Sequence, residues 1–375
     1  MNRELLVDAA ERWGTPLYVT DLDMAAARAR AWAEALPGAL VAYAIKANPD
    51  PALLRRLAID GFGFEVVGPV ELSLALRAGC APGGVVINGV GQTDGDLADA
   101  LATGALVNAE SLDALDALLA AGPGRIGLRI NPALDAATHP HLATGSAGAK
   151  FGIALDELPD AFGRVGRAGR QVESIGAHIG SAISDPGPFG QLASLLRGLA
   201  EEHGIGTIDL GGGFEGDPAT WATEVRPKLG TQRVIVEPGR SVVAEAGWLL
   251  TRVVRVQERG HLVADAGMTE LIRPMLYGAR HPVTLLVPGA EVAARAWTLS
   301  GPICEAGDVL ATDLELGPGA GTGALLAIGE AGAYGLAMAS SYNGRLLSAQ
   351  AVIEGGQIRL SRRRETLEDL LSRDA

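Results

Sequence analysis

The chain has 375 residues, 48% of them hydrophobic, and its 44 acidic residues outnumber its 31 basic ones, giving a net charge of −13. This length predicts two domains, or one barrel with an added domain. The acidic balance argues against binding to nucleic acid or to an anionic membrane, because both would repel the protein. Two cysteines, Cys80 and Cys304, are too few for a disulfide framework or a thiolate zinc site. Since the first residues are also too charged for a signal peptide, we expect a soluble cytoplasmic protein.

Short apolar runs alternate with helical patterns between about residues 40 and 238. The eight runs that we predict to be strands are Leu40–Ile45, Gly63–Val67, Val85–Ile87, Ala105–Val107, Ile126–Ile130, Val172–His178, Thr207–Leu210 and Val234–Val236. In the segments between them, apolar residues recur every three or four positions, which is the helical period. This alternation predicts an α/β fold with an eight-stranded (β/α) TIM-like barrel. A doubly wound open sheet is the alternative, which strand count alone does not exclude.

A different pattern follows the barrel units. The predicted strands there are Trp248–Val256, Val283–Val287, Glu291–Leu299, Ser348–Glu354 and Gln357–Leu360, and a helical pattern returns only at Glu365–Leu371. Turns rich in Gly and Pro separate these strands, which is typical of an antiparallel β domain. We therefore predict a barrel over residues 20–240 and a C-terminal β domain over residues 241–375, with residues 1–19 packed on that domain.

Chemically versatile residues follow several of the predicted barrel strands. Lys46 ends the first strand, and barrel enzymes carry their chemistry at the carboxyl ends of the strands. An amine in a confined site there can bind an aldehyde covalently. An ordinary lysine that reaches solvent from a strand end is the simpler alternative.

Three more segments end strands at the same predicted rim. Gly211–Gly213 lets backbone N–H groups approach an anion, or makes a tight turn. Glu237–Arg240 supplies a carboxylate and a guanidinium, which either bind a ligand or pair with each other. His178 also ends a predicted strand at this rim, and Ser181 follows it three residues later. His139 and His141 have no carboxylate or cysteine at ligand spacing, so we predict no metal site.

Taken together, the motifs resemble the fold-type III pyridoxal-phosphate decarboxylases, and within them the diaminopimelate decarboxylase branch. The matching segments, in family order, are Tyr43–Asn48, His178–Ser181, Gly211–Gly213, Glu237–Arg240, Asp265–Gly278, Gly301–Asp308 and Gly332–Asn343. They span nearly the whole chain. The family fold is an α/β barrel followed by a β domain, in agreement with the periodicity.

The resemblance implies a role for each matching residue in binding pyridoxal 5'-phosphate. Lys46 resembles the lysine that holds the cofactor, and His178 the ring that packs on a cofactor face. Glu237 resembles the carboxylate that faces the pyridine nitrogen and keeps it protonated. The remaining cofactor contacts that it implies, which are mainly to the phosphate, are Ser181, Gly213, Gly239, Arg240 and Tyr334.

The resemblance also implies the substrate and the assembly. Arg240, Arg273, Tyr277, Glu305 and Tyr334 match substrate-binding positions, with an Arg and a Tyr suited to a distal carboxylate and Glu305 to a distal ammonium. Related ornithine decarboxylases have an Asp after the cysteine, where this chain has Glu305. Cys304 matches a catalytic cysteine that the partner subunit supplies, which implies a homodimer with shared active sites. The implied reaction is the decarboxylation of meso-diaminopimelate to L-lysine.

Several residues differ from the family pattern, so a decarboxylase of another amino acid is an alternative. Gly176 stands where the family often has His, Ala182 where Gln is usual, and Glu65–Gly68 replaces the usual Asp-Val-Val-Ser. Other amino acids are alternatives: D-ornithine or D-lysine, carboxynorspermidine, or a carrier-bound glutamate. A pyridoxal-phosphate-binding protein without chemistry, or a racemase, is a further alternative, although a racemase would need a second base, usually Tyr, where this chain has Cys304.

Overall fold

The structure is a computed structural model that describes residues 1–134, 145 and 148–372. It divides into two compact units, one formed by residues 26–242 and the other by residues 1–25 together with 243–375. The chain begins with α1 (Arg3–Trp13) and β1 (Leu17–Asp21), both in the second of these units. Among the described residues, no helix is long and apolar enough to cross a membrane.

Residues 26–242 form a closed barrel of eight parallel strands. The barrel strands are β2 (Leu40–Ala44), β3 (Gly63–Val66), β4 (Val85–Ile87), β5 (Leu106–Ala109), β6 (Arg125–Asn131), β8 (Ser174–Gly176), β9 (Thr207–Asp209) and β10 (Arg233–Val236), while the short β7 (Ile153–Ala154) pairs with β6 alone. Their order is β5-β4-β3-β2-β10-β9-β8-β6, and a parallel pairing of β5 with β6 closes the ring. The predicted barrel is confirmed, and the open sheet is excluded.

Helices lie before, between and after the barrel strands. They are α2 (Leu22–Ala35), α3 (Pro51–Ile59), α4 (Pro69–Arg77), α5 (Asp94–Thr103), α6 (Leu112–Ala121), α7 (Leu158–Arg167), α8 (Gly187–His203), α9 (Pro218–Val225) and the short α10 (Arg240–Val243). Local sequence sets their ends. The Asp50 carboxylate caps α3 by accepting from the Ala52 N–H at 2.7 Å, with Pro51 in the first turn. Thr93 and Asp96 form a capping box at the start of α5.

The other unit contains a nine-stranded sheet of mostly antiparallel strands. After β1 its strands are β11 (Gly247–Gln257), β12 (His261–Ala264), β13 (Val283–Val287), β14 (Ala296–Ser300), β15 (Val309–Glu315), β16 (Leu325–Ile328), β17 (Ala349–Glu354) and β18 (Gln357–Arg362). The helices α11 (Arg273–Tyr277) and α12 (Leu367–Leu371) accompany them. Strand β1 lies between β11, with which it is antiparallel, and β17, with which it is parallel. The predicted β domain is confirmed.

Alternation along the strands gives this sheet a hydrophobic core on each face. Side chains of successive strand residues point to opposite faces. Leu17 and Val19 therefore join one cluster with Leu250, while Tyr18 joins a second cluster with Leu249. Covering both faces explains why several of these strands consist almost entirely of buried residues.

Prediction of individual strands was less accurate here than in the barrel. The predicted strand Glu291–Leu299 is wrong in its first half, because β14 begins only at Ala296. Strands β12, β15 and β16 were not predicted. β12 and β16 have four residues each, and β15 mixes Asp, Thr and Glu with few buried positions. Short or largely exposed strands give little periodic signal.

Leu57 and Ile59, two residues apart on α3, allow a matched test of the barrel core. Leu57 is fully buried, whereas Ile59 is 80% exposed. We expect Leu57→Ala to lower the free energy of unfolding by about 2–5 kcal/mol, because it leaves a cavity. Ile59→Ala should change it by about 0.5 kcal/mol or less. Chemical denaturation of both variants measures the difference, and equal effects would contradict this packing of α3.

Candidate active site

At the carboxyl ends of the barrel strands, polar side chains point to the same side as the apolar residues of the barrel core. Ala42, Val86, Leu106 and Ile235 come from four strands and form one buried cluster. Two positions further along three of these strands stand Asn88, Asn108 and Glu237, which are buried as well. Because side chains alternate in a strand, residues two apart lie on the same face. The barrel interior thus changes from apolar to polar toward its carboxyl-terminal rim.

Lys46 lies at this rim, in a single 3₁₀ turn (Ile45–Ala47) that follows β2. Its Nζ donates to both carboxylate oxygens of Glu65, at 3.0 and 2.9 Å. Glu65 belongs to β3 and is only 1% exposed, whereas the Lys46 side chain is 37% exposed. Pairing with a buried carboxylate fixes the amine at the rim and leaves part of the side chain accessible to a ligand.

Glu237 follows β10 and is buried among other carboxylates. Its Oε1 accepts from Asn88 Nδ2 at 2.7 Å, and the carboxyl group of Asp209, on β9, is near enough to affect its charge. Burial raises the pKa of Glu237 well above its usual value, and the nearby Asp209 and Glu65 raise it further. Burial likewise raises the pKa of Asp209. Each of these two groups therefore takes up a proton more readily than an isolated carboxyl group would.

His178 lies just beyond β8 and faces the glycine segment. The Gly212 N–H donates to its Nδ1 at 3.1 Å, so Nδ1 is the unprotonated nitrogen of the ring. Burial lowers the pKa of His178 well below 6.5, and the positive charges of Lys46 and Arg129 lower it further. The ring is therefore neutral at pH 7 and carries its single proton on Nε2.

Glycine is required at the turn after β9. Gly211 and Gly213 have φ of +62° and +101°. A Cβ on Gly213 would lie 1.9 Å from the Gly180 carbonyl oxygen, and one on Gly212 would lie 2.1 Å from the Glu237 carbonyl oxygen. Only a bare backbone fits between the segments that follow β8 and β10.

Arg240 adds a positive charge beside these glycines. Its Nη2 donates to Ser181 Oγ at 3.3 Å, and its Nε lies 3.4 Å from a carboxylate oxygen of Glu215. Arg240 thus forms an ion pair with Glu215, and Glu237 accepts a hydrogen bond from Asn88. Gly239 precedes Arg240, where a Cβ would come within 3.1 Å of the Ala44 and Ala47 methyl groups. A guanidinium, a hydroxyl and glycine backbone are the groups that bind phosphate.

In the second unit, Arg273 lies among aromatic rings. It begins α11, is 7% exposed, and has its guanidinium carbon 5.3 Å from the centre of the Tyr277 ring and 5.6 Å from that of Tyr334. Arg273 and Tyr277 are four residues apart on one helix, as the spacing predicts. Stacking on ring faces orients the guanidinium without neutralising its charge.

Cys304 and Glu305 lie in an exposed loop of the same unit. The Tyr342 hydroxyl donates to Glu305 Oε1 at 2.6 Å, and this hydrogen bond together with the Glu305 charge raises the pKa of Tyr342. Tyr342 therefore stays protonated and holds the carboxylate in one orientation.

The residues of the barrel rim fit the cofactor that the sequence implies. A phosphorylated pyridine aldehyde needs an amine, an anion cradle and a carboxylate for the ring nitrogen. Lys46, the Gly211–Gly213 turn with Arg240, and Glu237 provide these groups within one unit. Within the described ranges no cluster of three or more His, Cys, Asp or Glu residues is arranged to hold a metal ion. His139 and His141 lie outside the described residues.

A parallel eight-stranded barrel with these groups at one rim defines a pyridoxal-phosphate enzyme of the barrel class. Residues 22–244 match the family model described as pyridoxal-dependent decarboxylase, pyridoxal binding domain. The chain belongs to this family, so it is a pyridoxal-phosphate-dependent decarboxylase.

Nearly the whole chain is similar to diaminopimelate decarboxylases. The enzyme of Deinococcus radiodurans is 40% identical over 99% of this chain and 98% of its own length. That of Pseudomonas aeruginosa is 40% identical, with coverages of 96% and 93%. The crystal structure of the Helicobacter pylori enzyme complexed with L-lysine superposes with a TM-score of 0.93 at 31% identity, covering 98% of both chains. The sequence resemblance is confirmed.

Three polar residues of the rim were missed as site residues. Glu65, Asn88 and Asp209 connect Lys46 with Glu237 through hydrogen bonds and charge. The available signal was their position, because each lies at or just beyond the end of an apolar barrel strand. The predicted roles of the other site residues stay predictions.

The neutral state of His178 can be measured by NMR. Because its pKa is lowered, the ring in the cofactor-free protein should take up a proton only well below pH 6.5, whereas the unfolded chain takes it up near about 6.5. The neutral ring therefore destabilises the fold progressively as pH falls below about 6.5. A histidine titration, assigned with the spectrum of His178→Gln, tests this. A midpoint at or above about 6.5 would contradict the assigned environment.

Proposed function

We propose that this protein is a cytoplasmic homodimer that decarboxylates meso-diaminopimelate to L-lysine and CO₂. The observation that carries the substrate assignment is the 40% identity, over almost the full length, to diaminopimelate decarboxylases. The Helicobacter pylori relative, with TM-score 0.93, was crystallised with L-lysine, the product of the proposed reaction.

The barrel residues are proposed to bind and polarise the cofactor. Lys46 holds its aldehyde carbon, and Ser181, Gly213, Gly239 and Arg240 bind its phosphate. His178 packs on a ring face, and the Glu237 carboxylate faces the ring nitrogen. When bound, the cofactor supplies an electron sink for the pair of electrons that remains when CO₂ leaves. A negative Glu237 strengthens that sink by keeping the ring nitrogen protonated.

Residues of the β domain are proposed to select the substrate. The charged Arg273, stacked on Tyr277 and Tyr334, binds the distal carboxylate, with the Tyr277 hydroxyl on the same group. Glu305, oriented by its hydrogen bond from Tyr342, binds the distal ammonium. Cys304 is exposed in the single subunit. It is proposed to reach the partner subunit's site and to return a proton there to the carbon that has lost CO₂. Arg240 and Tyr334 are the remaining substrate contacts of this proposal.

Arg273 gives the sharpest test of the substrate. We expect Arg273→Ala to lower kcat/KM for meso-diaminopimelate by an amount equivalent to about 2–5 kcal/mol, since it leaves the distal carboxylate without its charged partner. Weak turnover of ornithine and lysine, which have no distal carboxylate, should change little. The measurement is the ratio of the efficiencies for diaminopimelate and ornithine, in wild type and variant.

Two further variants control this test. Arg280→Ala removes an exposed arginine just after α11 and should leave the ratio unchanged. Arg273→Lys keeps the charge and should recover part of the loss. An unchanged ratio in Arg273→Ala would favour another amino-acid substrate, such as D-ornithine, D-lysine or carboxynorspermidine. Absence of CO₂ release from every amino acid tested would favour a pyridoxal-phosphate-binding protein.

Shared active sites predict complementation between two inactive variants. Lys46→Ala and Cys304→Ala should each be nearly inactive. When their subunits exchange, a heterodimer contains one site with both native residues, so activity should return to at most about half of wild type per heterodimer. Mixing after reversible dissociation, with exchange verified by mass spectrometry, measures this. No recovery after verified exchange means that each site is built from one chain.

A further inference from the structure

Asn88 bridges two buried carboxylates at the rim of the barrel. It lies directly after β4, is 5% exposed, and its Nδ2 donates to Glu237 Oε1 at 2.7 Å and, more weakly, to Glu65 Oε1 at 3.5 Å. Its Oδ1 accepts from Asn108 Nδ2 at 2.9 Å. Both polar atoms of the Asn88 amide are thus engaged inside the barrel.

The orientation of the Asn88 amide follows from its neighbours. Beside the protonated ring nitrogen of the proposed complex Glu237 would be ionised, and an ionised carboxylate only accepts hydrogen bonds. If the amide were turned over, its Oδ1 would lie 2.7 Å from a Glu237 oxygen, and two acceptors would face each other. The N–H therefore points to Glu237, and the Oδ1 to Asn108. Asn108, near the end of β5, stabilises this orientation by donating from its amide to the Asn88 Oδ1.

Glu237 needs such a donor because its surroundings oppose its negative charge. Burial, Asp209 and Glu65 all raise its pKa, whereas the charge of Lys46 lowers it. A hydrogen bond donated to a charged oxygen stabilises the ionised form and is stronger than a neutral one. At 2.7 Å the Asn88 N–H also restricts rotation of the carboxyl group.

We propose that Asn88 is a positioning residue that keeps Glu237 ionised and oriented for the nitrogen of the cofactor ring. The inference rests on the proposed role of Glu237 but not on the identity of the substrate. With the cofactor bound, Glu237 and the ring nitrogen would share one proton. Without the Asn88 donor the carboxylate becomes more basic, and the shared proton moves from the ring toward Glu237.

Two measurements without substrate test this proposal on Asn88→Ala. In the holoenzyme loaded with ring-¹⁵N cofactor, the nitrogen resonance should shift from the protonated toward the unprotonated position. In the cofactor-free protein, an infrared titration should place the Glu237 midpoint about one to two pH units higher than in wild type. The carboxyl band is assigned as the one absent from Glu237→Gln. With substrate, kcat should fall about tenfold or more while KM changes little.

Matched variants separate this role from a general loss of structure. Asn108→Ala removes the neighbouring buried amide but leaves the Asn88 N–H on Glu237, so its ¹⁵N shift should be much smaller. Leu57→Ala destabilises the same barrel through α3, outside the candidate site, and should leave the ¹⁵N resonance in place. Equal shifts in Asn88→Ala and in either control would overturn the proposal.

Glu237→Gln distinguishes failure of the inference from failure of the proposed function. If Glu237→Gln shifts the ¹⁵N resonance and Asn88→Ala does not, Glu237 faces the ring as proposed and the role of Asn88 is wrong. If Glu237→Gln leaves the resonance unchanged, the placement of Glu237 opposite the ring nitrogen is wrong, and the proposal for Asn88 falls with it. Neither result depends on which amino acid is decarboxylated.

Discussion

Three carboxyl groups buried side by side at the rim of the barrel are the constraint that organises the site. Glu65, Asp209 and Glu237 are each 6% exposed or less. Carboxyl groups are stable in such a place only when donors, cations or a bound proton compensate for the lost water. Each has its own partner: Lys46 for Glu65, the Gly211 N–H for Asp209, and the Asn88 amide for Glu237. The geometry of the lysine, the glycine turn and the asparagine follows from this need.

The parallel barrel makes such a cluster possible because all its strands end at one rim. Within single strands the interior changes character over two residues, from Val86 to Asn88 and from Ile235 to Glu237. The apolar layer supplies packing, and the polar layer above it supplies chemistry. The glycine turn completes the rim, since a Cβ at Gly213 would collide with the backbone after β8. Stability and function are therefore encoded at positions two residues apart, at and just beyond the ends of the same strands.

Much of the barrel could be predicted because its signal is local and repeated. Eight apolar runs separated by helical patterns gave all eight strands, and their common direction placed Lys46, His178 and Glu237 at one rim. The hydrogen bonds between the strands' polar residues were not predictable, since they depend on register between strands far apart in sequence. Asn88 and Glu237, 149 residues apart, come into contact only when the ring closes. The β domain was predicted less well because strands such as β12 are short and β15 is largely exposed.

The barrel and the β domain each contain buried charged groups to which the proposed reaction assigns a role. The barrel concentrates carboxylates, which suit a cofactor nitrogen that must stay protonated. The β domain presents Arg273, whose neighbours Tyr277 and Tyr334 contact it through ring faces. An aromatic face stabilises a cation by its quadrupole but, unlike a carboxylate, does not cancel its charge. A guanidinium held against aromatic faces in this way keeps its positive charge, which suits the proposed binding of the distal carboxylate of the substrate.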